Sequence, residues 1–263
     1  MENESTENRN QARIAIMELA HMISVPMSLN AVVRLNVADA IWQGGSNSPL
    51  SASQILTRVL PSGHQGDPEN LQRILRMLTS YGVFAEHLIK TPDSDTSERQ
   101  YSLTEVGKTL VTDSEGLSYA SYVLQHHQDE LMRAWPLAHE AVVDPTLEPF
   151  VKVNGEPAYS YYGKRPEMTG LMMKAMSGAS VPFMKAFLDV YDGFDGVTTL
   201  VDVGGSAGDC LRMILKKHPH VKEGINFDLP EVVAKAPIIP GKILPSLLSL
   251  SLSLSLDNST LKS

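Results

Sequence analysis

The chain has 263 residues, of which 43% are hydrophobic, so one large domain or two modest ones with a sizeable core can form. Its formal net charge of −8 argues against a nucleic-acid backbone as partner. We find no apolar run long enough to cross a bilayer, and the lone Cys210 excludes an internal disulfide and a multi-cysteine metal site, so we expect a cytosolic protein without nucleic-acid or membrane partners.

The N-terminal segment predicts a polar start followed by two helices. Residues 1–12 are polar and predict disorder. Apolar residues then recur at helical spacing until Pro26, which should interrupt the helix. Ser28 is predicted to cap a second amphipathic helix that reaches residue 42.

The next segment predicts two capped helices and a ribbon. The helices cover residues 48–60 and 67–84, and Asp67 is the expected N-cap of the latter. Residues 83–89 and 99–107 then predict a two-stranded ribbon. Helices followed by a ribbon suggest a winged-helix module, whose few cations favour packing or dimerisation over DNA binding.

Residues 118–190 predict a helical region with a methionine-rich face. Met168, Met172 and Met176 are spaced by four, which places them on one side of a helix. Methionine fills core gaps well, and such a face could also form the wall of a pocket for a flat aromatic substrate. From the residues alone we favour core packing.

A glycine turn lies between two predicted parallel strands. The first strand contains Asp202 and ends at Gly204 and Gly205; Gly208 precedes a helix, and the second strand ends at Asp228. Glycines let the backbone approach a ligand, and a helix N-terminus presents free N–H groups. An acid at the tip of the second strand can accept hydrogen bonds from ribose hydroxyls. The pattern predicts a nucleoside-binding unit, with a tight turn that binds no ligand as the alternative.

The charge around the turn discriminates between nucleoside cofactors. Asp202 would repel a pyrophosphate but favour a cation. S-adenosylmethionine carries an ammonium and a sulfonium and no phosphate. We therefore predict S-adenosylmethionine rather than NAD as the cofactor.

Four motifs resemble those of the plant small-molecule methyltransferase family of the caffeic acid O-methyltransferase type. They read "LVDVGGSAGD", "GINFDLPEVVAKAP", "ENLQRILRMLTSYGVF" and "YSLTEVGKTLV", and the resemblance covers about residues 13–240. It implies a mainly α winged-helix dimerisation domain over 13–115, through which a homodimer would form. It further implies a helical linker and substrate region with the N-terminal part of an α/β Rossmann-like domain over 116–240, incomplete at its C-terminus, and a low-complexity aberrant tail over 241–263.

The resemblance also implies site residues. It places Ser180, Gly204 and Asp228 at the cofactor, and the pattern of the turn adds Asp202, Gly205 and Gly208. The positions for a small aromatic acceptor are Gln125, His126, Ala158, Tyr162, Met168, Met172 and Met176. His126 replaces an expected asparagine and could pair with an acceptor carboxylate. The segment 67–84 is also similar to relatives that methylate nicotinate.

The pattern of the family stops after residue 240. The leucine–serine alternation that follows could mimic an amphipathic strand, but we favour a retained intron or a mispredicted isoform. We therefore expect the catalytic histidine region to be absent and turnover to be impaired. His218 and His220 are interpreted as a solvated helix end, and we assign neither a catalytic residue nor a metal site.

Three functions follow from these expectations. The first is methyl transfer from S-adenosylmethionine to the hydroxyl of a small phenolic acceptor. The second is methyl transfer to the ring nitrogen of nicotinate. The third is a non-catalytic dimerisation partner of full-length subunits.

Overall fold

The structure is a computed structural model that describes residues 2–90, 97–234 and 243–247. It forms two compact units, Met1–Ala179 and Ser180–Ser263. The helices are α1 (Glu2–His21), α2 (Ser24–Arg34), α3 (Val37–Trp42), α4 (Ala52–Val59), α5 (Pro68–Ser80), α6 (Glu105–Lys108), α7 (Ala120–His126), α8 (Asp129–Met132), α9 (Ala138–Val143), α10 (Pro149–Asn154), α11 (Ala158–Gly163), α12 (Pro166–Val190), α13 (Asp209–Lys217) and α14 (Pro230–Val233). The strands are β1 (Leu50–Ser51), β2 (Phe84–Lys90), β3 (Ser97–Leu103), β4 (Thr199–Val203), β5 (Glu223–Asp228) and β6 (Ile243–Leu247).

Helix α1 corrects the expected disorder over residues 1–12, because the chain is helical from Glu2. The helix breaks at Met22, four residues before Pro26, as expected from the clash between a proline ring and the carbonyl four residues earlier. Ser28 lies inside α2 and is not its cap. Asn36, with φ +53°, divides the expected second helix into α2 and α3.

The N-terminal helices expose a large apolar surface. Ile16, Met17 and Leu19 are each about 60% exposed. The helical stretch Thr6–Arg34 is long and apolar enough to cross a membrane, which corrects the expectation that no such run exists. Helices of soluble proteins also meet this criterion, so it assigns no membrane location.

The caps of α4 and α5 explain where these helices begin. Ser51 accepts a hydrogen bond from the Gln54 N–H, and the Gln54 side chain accepts one from the Ser51 N–H, which forms a capping box. Asp67 accepts from the N–H groups of Glu69 and Asn70 at 2.9 and 3.0 Å. The predicted cap at Asp67 is therefore confirmed, and Pro68 occupies the first helical position.

The first sheet is antiparallel with the strand order β1–β3–β2. The predicted ribbon is β2 and β3, which pair from Phe84 opposite Leu103 outward, and β1 adds a third strand. The end of the second ribbon segment is instead helix α6, which Thr104 caps. Tyr101 is fully buried in the core that α2–α5 form with this sheet.

The region 118–190 is helical as predicted but is divided into α7–α12 and one turn of 3-10 helix. A separate core cluster there contains Ala134, Phe150 and Tyr162. Met168 and Met172 of α12 are half-buried and pack against this cluster, and their place in the wall of an acceptor pocket stays a prediction.

The second unit contains a parallel sheet with the order β4–β5–β6. Helix α13 connects β4 to β5 and buries Leu211 and Leu215. Strand β6 extends from residue 243, within the segment expected to be an aberrant tail, and it covers the outer edge of β5. The sheet therefore has a third strand, where the sequence analysis recognises two. The rest of the expected tail lies outside the described residues.

Candidate cofactor-binding turn and substrate region

The turn after β4 is held against the next strand by backbone hydrogen bonding. Gly204 adopts φ +76°, and its N–H donates to the carbonyl of Phe227 at 2.7 Å. Ser206 has φ +50°, and Gly208 has φ +76° immediately before α13. The left-handed conformations explain why glycine is suited to Gly204 and Gly208.

Gly205 is required for a different reason, which is close packing. A Cβ atom added there would lie 2.2 Å from Asn226 Oδ1 and 2.7 Å from Asp202 Oδ2. The backbone of the turn therefore passes directly over these two side chains and leaves no room for a methyl group at Gly205.

The Asp228 carboxylate lies against the same turn. Its Oδ2 accepts from the Ser206 N–H at 2.8 Å, and its Oδ1 accepts from the Leu229 N–H at 2.6 Å. A carboxylate offers about four lone-pair positions. Two positions therefore remain on Asp228 for further donors, such as the two hydroxyls of a ribose.

Two carboxylates make this edge of the sheet acidic. Burial, and secondly the charge of Asp228, raise the pKa of Asp202. A cationic ligand would relieve this repulsion, whereas a pyrophosphate would increase it. The donors, acceptors and charge at the turn fit an adenosyl group attached to a cation, as in S-adenosylmethionine.

Ser180 contacts the start of α13 rather than standing apart from the turn. Its side chain is hydrogen-bonded to the thiol of Cys210. Burial raises the pKa of that thiol, the Ser180 hydrogen bond lowers it, and the nearby Asp202 raises it. The structure thus brings together the predicted cofactor residues of the second unit, and their role in binding stays a prediction.

Asn226 belongs to this turn, and the sequence analysis does not identify it. It is 3% exposed, and its Nδ2 donates to the Ser206 carbonyl at 3.0 Å. Its Oδ1 has no hydrogen-bond partner among the described residues. A polar residue inside the apolar strand segment "GINFD" is the signal that could have indicated it.

The predicted acceptor residues of the first unit are only partly grouped. Ala158, Tyr162, Met168 and Met172 lie in one cluster with Phe150. Burial, and then the charge of nearby Glu130, raise the pKa of Tyr162 to about 12, and its hydroxyl has no partner among the described residues. The remaining acceptor candidates, Gln125, His126 and Met176, are outside this cluster.

Helix α7 carries two of those candidates on different faces. Gln125 is buried, and its Oε1 has no partner among the described residues. His126 is exposed, and its ring lies 4.0 Å from that of Tyr122, centroid to centroid. The His126 Nδ1–H donates to the Tyr122 carbonyl at 2.9 Å, which leaves Nε2 for a second partner.

The expectation that His218 and His220 form a solvated helix end is wrong for His218. His218 is only 9% exposed, so it does not belong to a solvated helix end, although His220 is exposed. The ring of Phe194 covers His218, with 5.3 Å between the ring centroids. A contact with a residue 24 positions earlier could not be deduced from the local sequence "KKHPH".

The parallel strands, glycine turn and acidic strand end define a nucleoside-binding α/β unit that follows a helical domain. Residues 17–113 match the model of the O-methyltransferase dimerisation domain, and residues 135–242 match that of the O-methyltransferase domain. The chain belongs to the plant S-adenosylmethionine-dependent small-molecule methyltransferase family.

Individual relatives are also similar to this chain. It is 75% identical to nicotinate N-methyltransferase 1 of Glycine max over 90% of this chain and 65% of the relative. It is 73% identical to nicotinate N-methyltransferase 1 of Arabidopsis thaliana, over 92% of this chain and 67% of the relative. Caffeic acid 3-O-methyltransferase of Ammi majus is 40% identical over 89% and 63%. The chain thus spans about two thirds of the length of these relatives.

A solved structure shares the fold. Human N-acetylserotonin methyltransferase in complex with SAM aligns with a TM-score of 0.73 at 19% identity, over 90% of this chain and 66% of the other. The combination of a helical dimerisation domain and a methyltransferase domain predicted from the sequence is confirmed.

Proposed function

We propose that this protein transfers the methyl group of S-adenosylmethionine to the ring nitrogen of nicotinate. The observation that carries the proposal is the difference in identity, 75% and 73% to two nicotinate N-methyltransferases against 40% to a caffeic acid O-methyltransferase. These values support the second hypothesis of the sequence analysis better than its first, the phenolic hydroxyl.

The second unit supplies the groups expected to hold the cofactor. When bound, S-adenosylmethionine supplies a methyl group activated by its sulfonium. Asp228 accepts from the ribose hydroxyls with the lone pairs that the backbone leaves available. Asp202 attracts the cationic part, and the glycines allow close backbone approach.

The acceptor chemistry is consistent with nitrogen. A pyridine nitrogen has a lone pair and carries no proton at neutral pH, whereas a phenolic hydroxyl must lose its proton to a base. A nitrogen acceptor therefore requires positioning more than proton transfer. Positioning requires a polar anchor for the nicotinate carboxylate.

His126 is the proposed anchor. Because its Nδ1 is committed to the Tyr122 carbonyl, its Nε2 can donate to a carboxylate when the ring is protonated. The Tyr122 ring contacts the imidazole at an interplanar angle of 34° and restricts its orientation. An asparagine at this position would supply a neutral donor and no charge.

The test is a methyl-transfer assay with labelled S-adenosylmethionine and equal concentrations of nicotinate and caffeate. We expect labelled product from nicotinate and little from caffeate. Labelling of caffeate without labelling of nicotinate would overturn the proposal. The same assay tests the prediction of slow turnover by this chain.

A matched pair of variants tests the anchor. The substitution His126→Asn should raise the KM for nicotinate at least about tenfold, since the hydrogen bond from the imidazole to the carboxylate is lost. His139 is an exposed histidine whose Nδ1 also donates to a carbonyl, that of Pro136, so His139→Asn is the control and should leave the KM unchanged.

A further inference from the structure

Three potential metal ligands lie together in the second unit. One ligand atom each of Asp195, His218 and His220 can be chosen so that all three lie within 4.8 Å of one another. The cluster is at the C-terminal end of α13, whereas the glycine turn is at its N-terminal end. A helix of this length separates them by roughly 14 Å, so the cluster is distinct from the cofactor turn.

His218 is a buried imidazole whose hydrogen bonding is incomplete. Its Nε2 has no partner among the described residues. Its Nδ1 is 4.0 Å from Asp195 Oδ1, which is too far for a hydrogen bond. A metal ion between Asp195 and His218 would give Nδ1 the partner that Asp195 is too far away to supply.

The hydrogen bonding of His220 leaves one ring nitrogen available for a metal. Its Nε2 is 2.9 Å from the Phe194 carbonyl, which can only accept, so Nε2 carries the hydrogen. The neutral ring then has its lone pair on Nδ1. A histidine that binds a metal through one nitrogen commonly donates its other N–H to a carbonyl in this way.

We propose that Asp195, His218 and His220 form a binding site for a divalent transition metal such as Zn²⁺. Two imidazoles and one carboxylate are a common protein ligand set for zinc, with water as the fourth ligand. Tetrahedral zinc brings its nitrogen and oxygen ligands to about 3.3 Å from one another. The Asp195 side chain is 79% exposed, so it is free to close the remaining distance.

The metal would connect two segments of the second unit. Asp195 lies in the segment between α12 and β4, and the histidines lie between α13 and β5. Because a metal that binds only the folded state stabilises it, bound Zn²⁺ should raise the melting temperature.

The full chain is titrated calorimetrically with ZnCl₂, and Co²⁺ is added separately to record its visible absorption. We expect one equivalent of Zn²⁺ to bind, a higher melting temperature, and the absorption spectrum of tetrahedral Co²⁺. Asp195→Asn and His220→Gln alter exposed side chains and should each weaken Zn²⁺ binding at least about tenfold.

Two controls separate this site from adventitious binding. His64→Gln removes an exposed histidine of the other unit, and Cys210→Ser removes the lone thiol; both variants should bind Zn²⁺ like the parent chain. Absence of stoichiometric Zn²⁺ binding by the folded chain would overturn the proposal. Unchanged binding by both Asp195→Asn and His220→Gln would overturn it as well.

Discussion

At the scale of single residues, Gly205 is the position where one methyl group should be most disruptive. The substitution Gly205→Ala would place Cβ against Asn226 Oδ1 and Asp202, and overpacking of this kind costs about 1–3 kcal/mol. We expect S-adenosylmethionine affinity to fall at least about tenfold, the equivalent of about 1.4 kcal/mol, in calorimetric titrations.

The control for that variant is Gly196→Ala in the same unit. Gly196 has φ +80° and open space around it, so alanine there adds backbone strain without displacing the turn. It should lower stability and leave the affinity unchanged. Equal losses of affinity in the two variants would show that general destabilisation is responsible.

Asp202 should couple stability to pH. Its pKa is raised in the folded state, so the folded protein binds its proton more tightly than the unfolded chain does. The carboxyl therefore favours folding when protonated, and this contribution is lost as the pH rises from the unfolded pKa through the raised folded one. We expect Asp202→Asn to melt at a higher temperature than the parent at pH 7, with the difference shrinking as the pH falls toward 4.

The same substitution should weaken S-adenosylmethionine binding, because it removes the charge that attracts the cation. A variant that loses stability at pH 7, or that gains the same stability at every pH, would contradict a raised pKa of Asp202 in the folded protein.

The sequence predicts some of these residues and not others. The glycines and Asp228 follow from the order of strand, turn, helix and strand, because parallel strands bring their carboxyl ends to one edge. Two hydrogen bonds depend on the register of β4 against β5: the one from the Ser206 N–H to Asp228 and the one from Asn226 to the Ser206 carbonyl. Register between strands is not a local property of the chain.

At the scale of elements, helix α12 offers a matched pair of glycines. A Cβ at Gly178 would lie 2.5 Å from the Ser118 carbonyl oxygen, whereas a Cβ at Gly170 would meet nothing within 4 Å. Gly178→Ala should therefore lower the free energy of unfolding by about 1–3 kcal/mol. Gly170→Ala should raise it by about 0.5–1 kcal/mol, since alanine is the better helix former.

Denaturant unfolding of the two variants measures this difference. If both substitutions stabilise the protein, the close approach of α12 to the backbone at Ser118 is not present in solution. If both destabilise it equally, the difference in local space has no energetic effect.

The start of a helix was predictable where a nearby N-cap residue determines it. Asp67 and Pro68 fix the start of α5 through interactions within one turn. The division between α2 and α3 was not predictable, because asparagine adopts the left-handed conformation only in some contexts. Strand β6 was not predictable, because it forms by pairing with β5 in a segment whose composition resembles a low-complexity tail.

At the scale of the whole molecule, the exposed apolar face of α1 is expected to take part in dimerisation. Leu19 is 62% exposed and lies within the region matched by the dimerisation domain. We predict that Leu19→Glu shifts the protein from dimer to monomer in sedimentation velocity, because it introduces a charge into an apolar contact.

The polar position Gln11 precedes that region, so Gln11→Glu is the control and should leave the dimer intact. A dimer that survives Leu19→Glu at the lowest measurable concentration would exclude this face from the interface.

The family was predictable from four motifs that lie in both units, since each motif encodes a local turn, cap or strand end. The acceptor was not. The sequence analysis prefers a phenolic hydroxyl, and the identities favour nicotinate. Choice of acceptor depends on how side chains are arranged around a small ring, and such an arrangement leaves little trace in a motif. Gln125, His126 and Tyr162 stay predicted acceptor positions.

The central claim is that the turn after β4 and the Asp228 carboxylate bind one adenosyl group. Calorimetric titration of S-adenosylmethionine into the purified chain, the Asp228→Ala variant and the Asp192→Ala control tests it most directly. We predict 1:1 binding by the parent and the control, and a loss of affinity of at least about tenfold for Asp228→Ala, which is the effect of about 1.4 kcal/mol. Unchanged affinity of Asp228→Ala, or no binding by the folded parent chain, would contradict the claim.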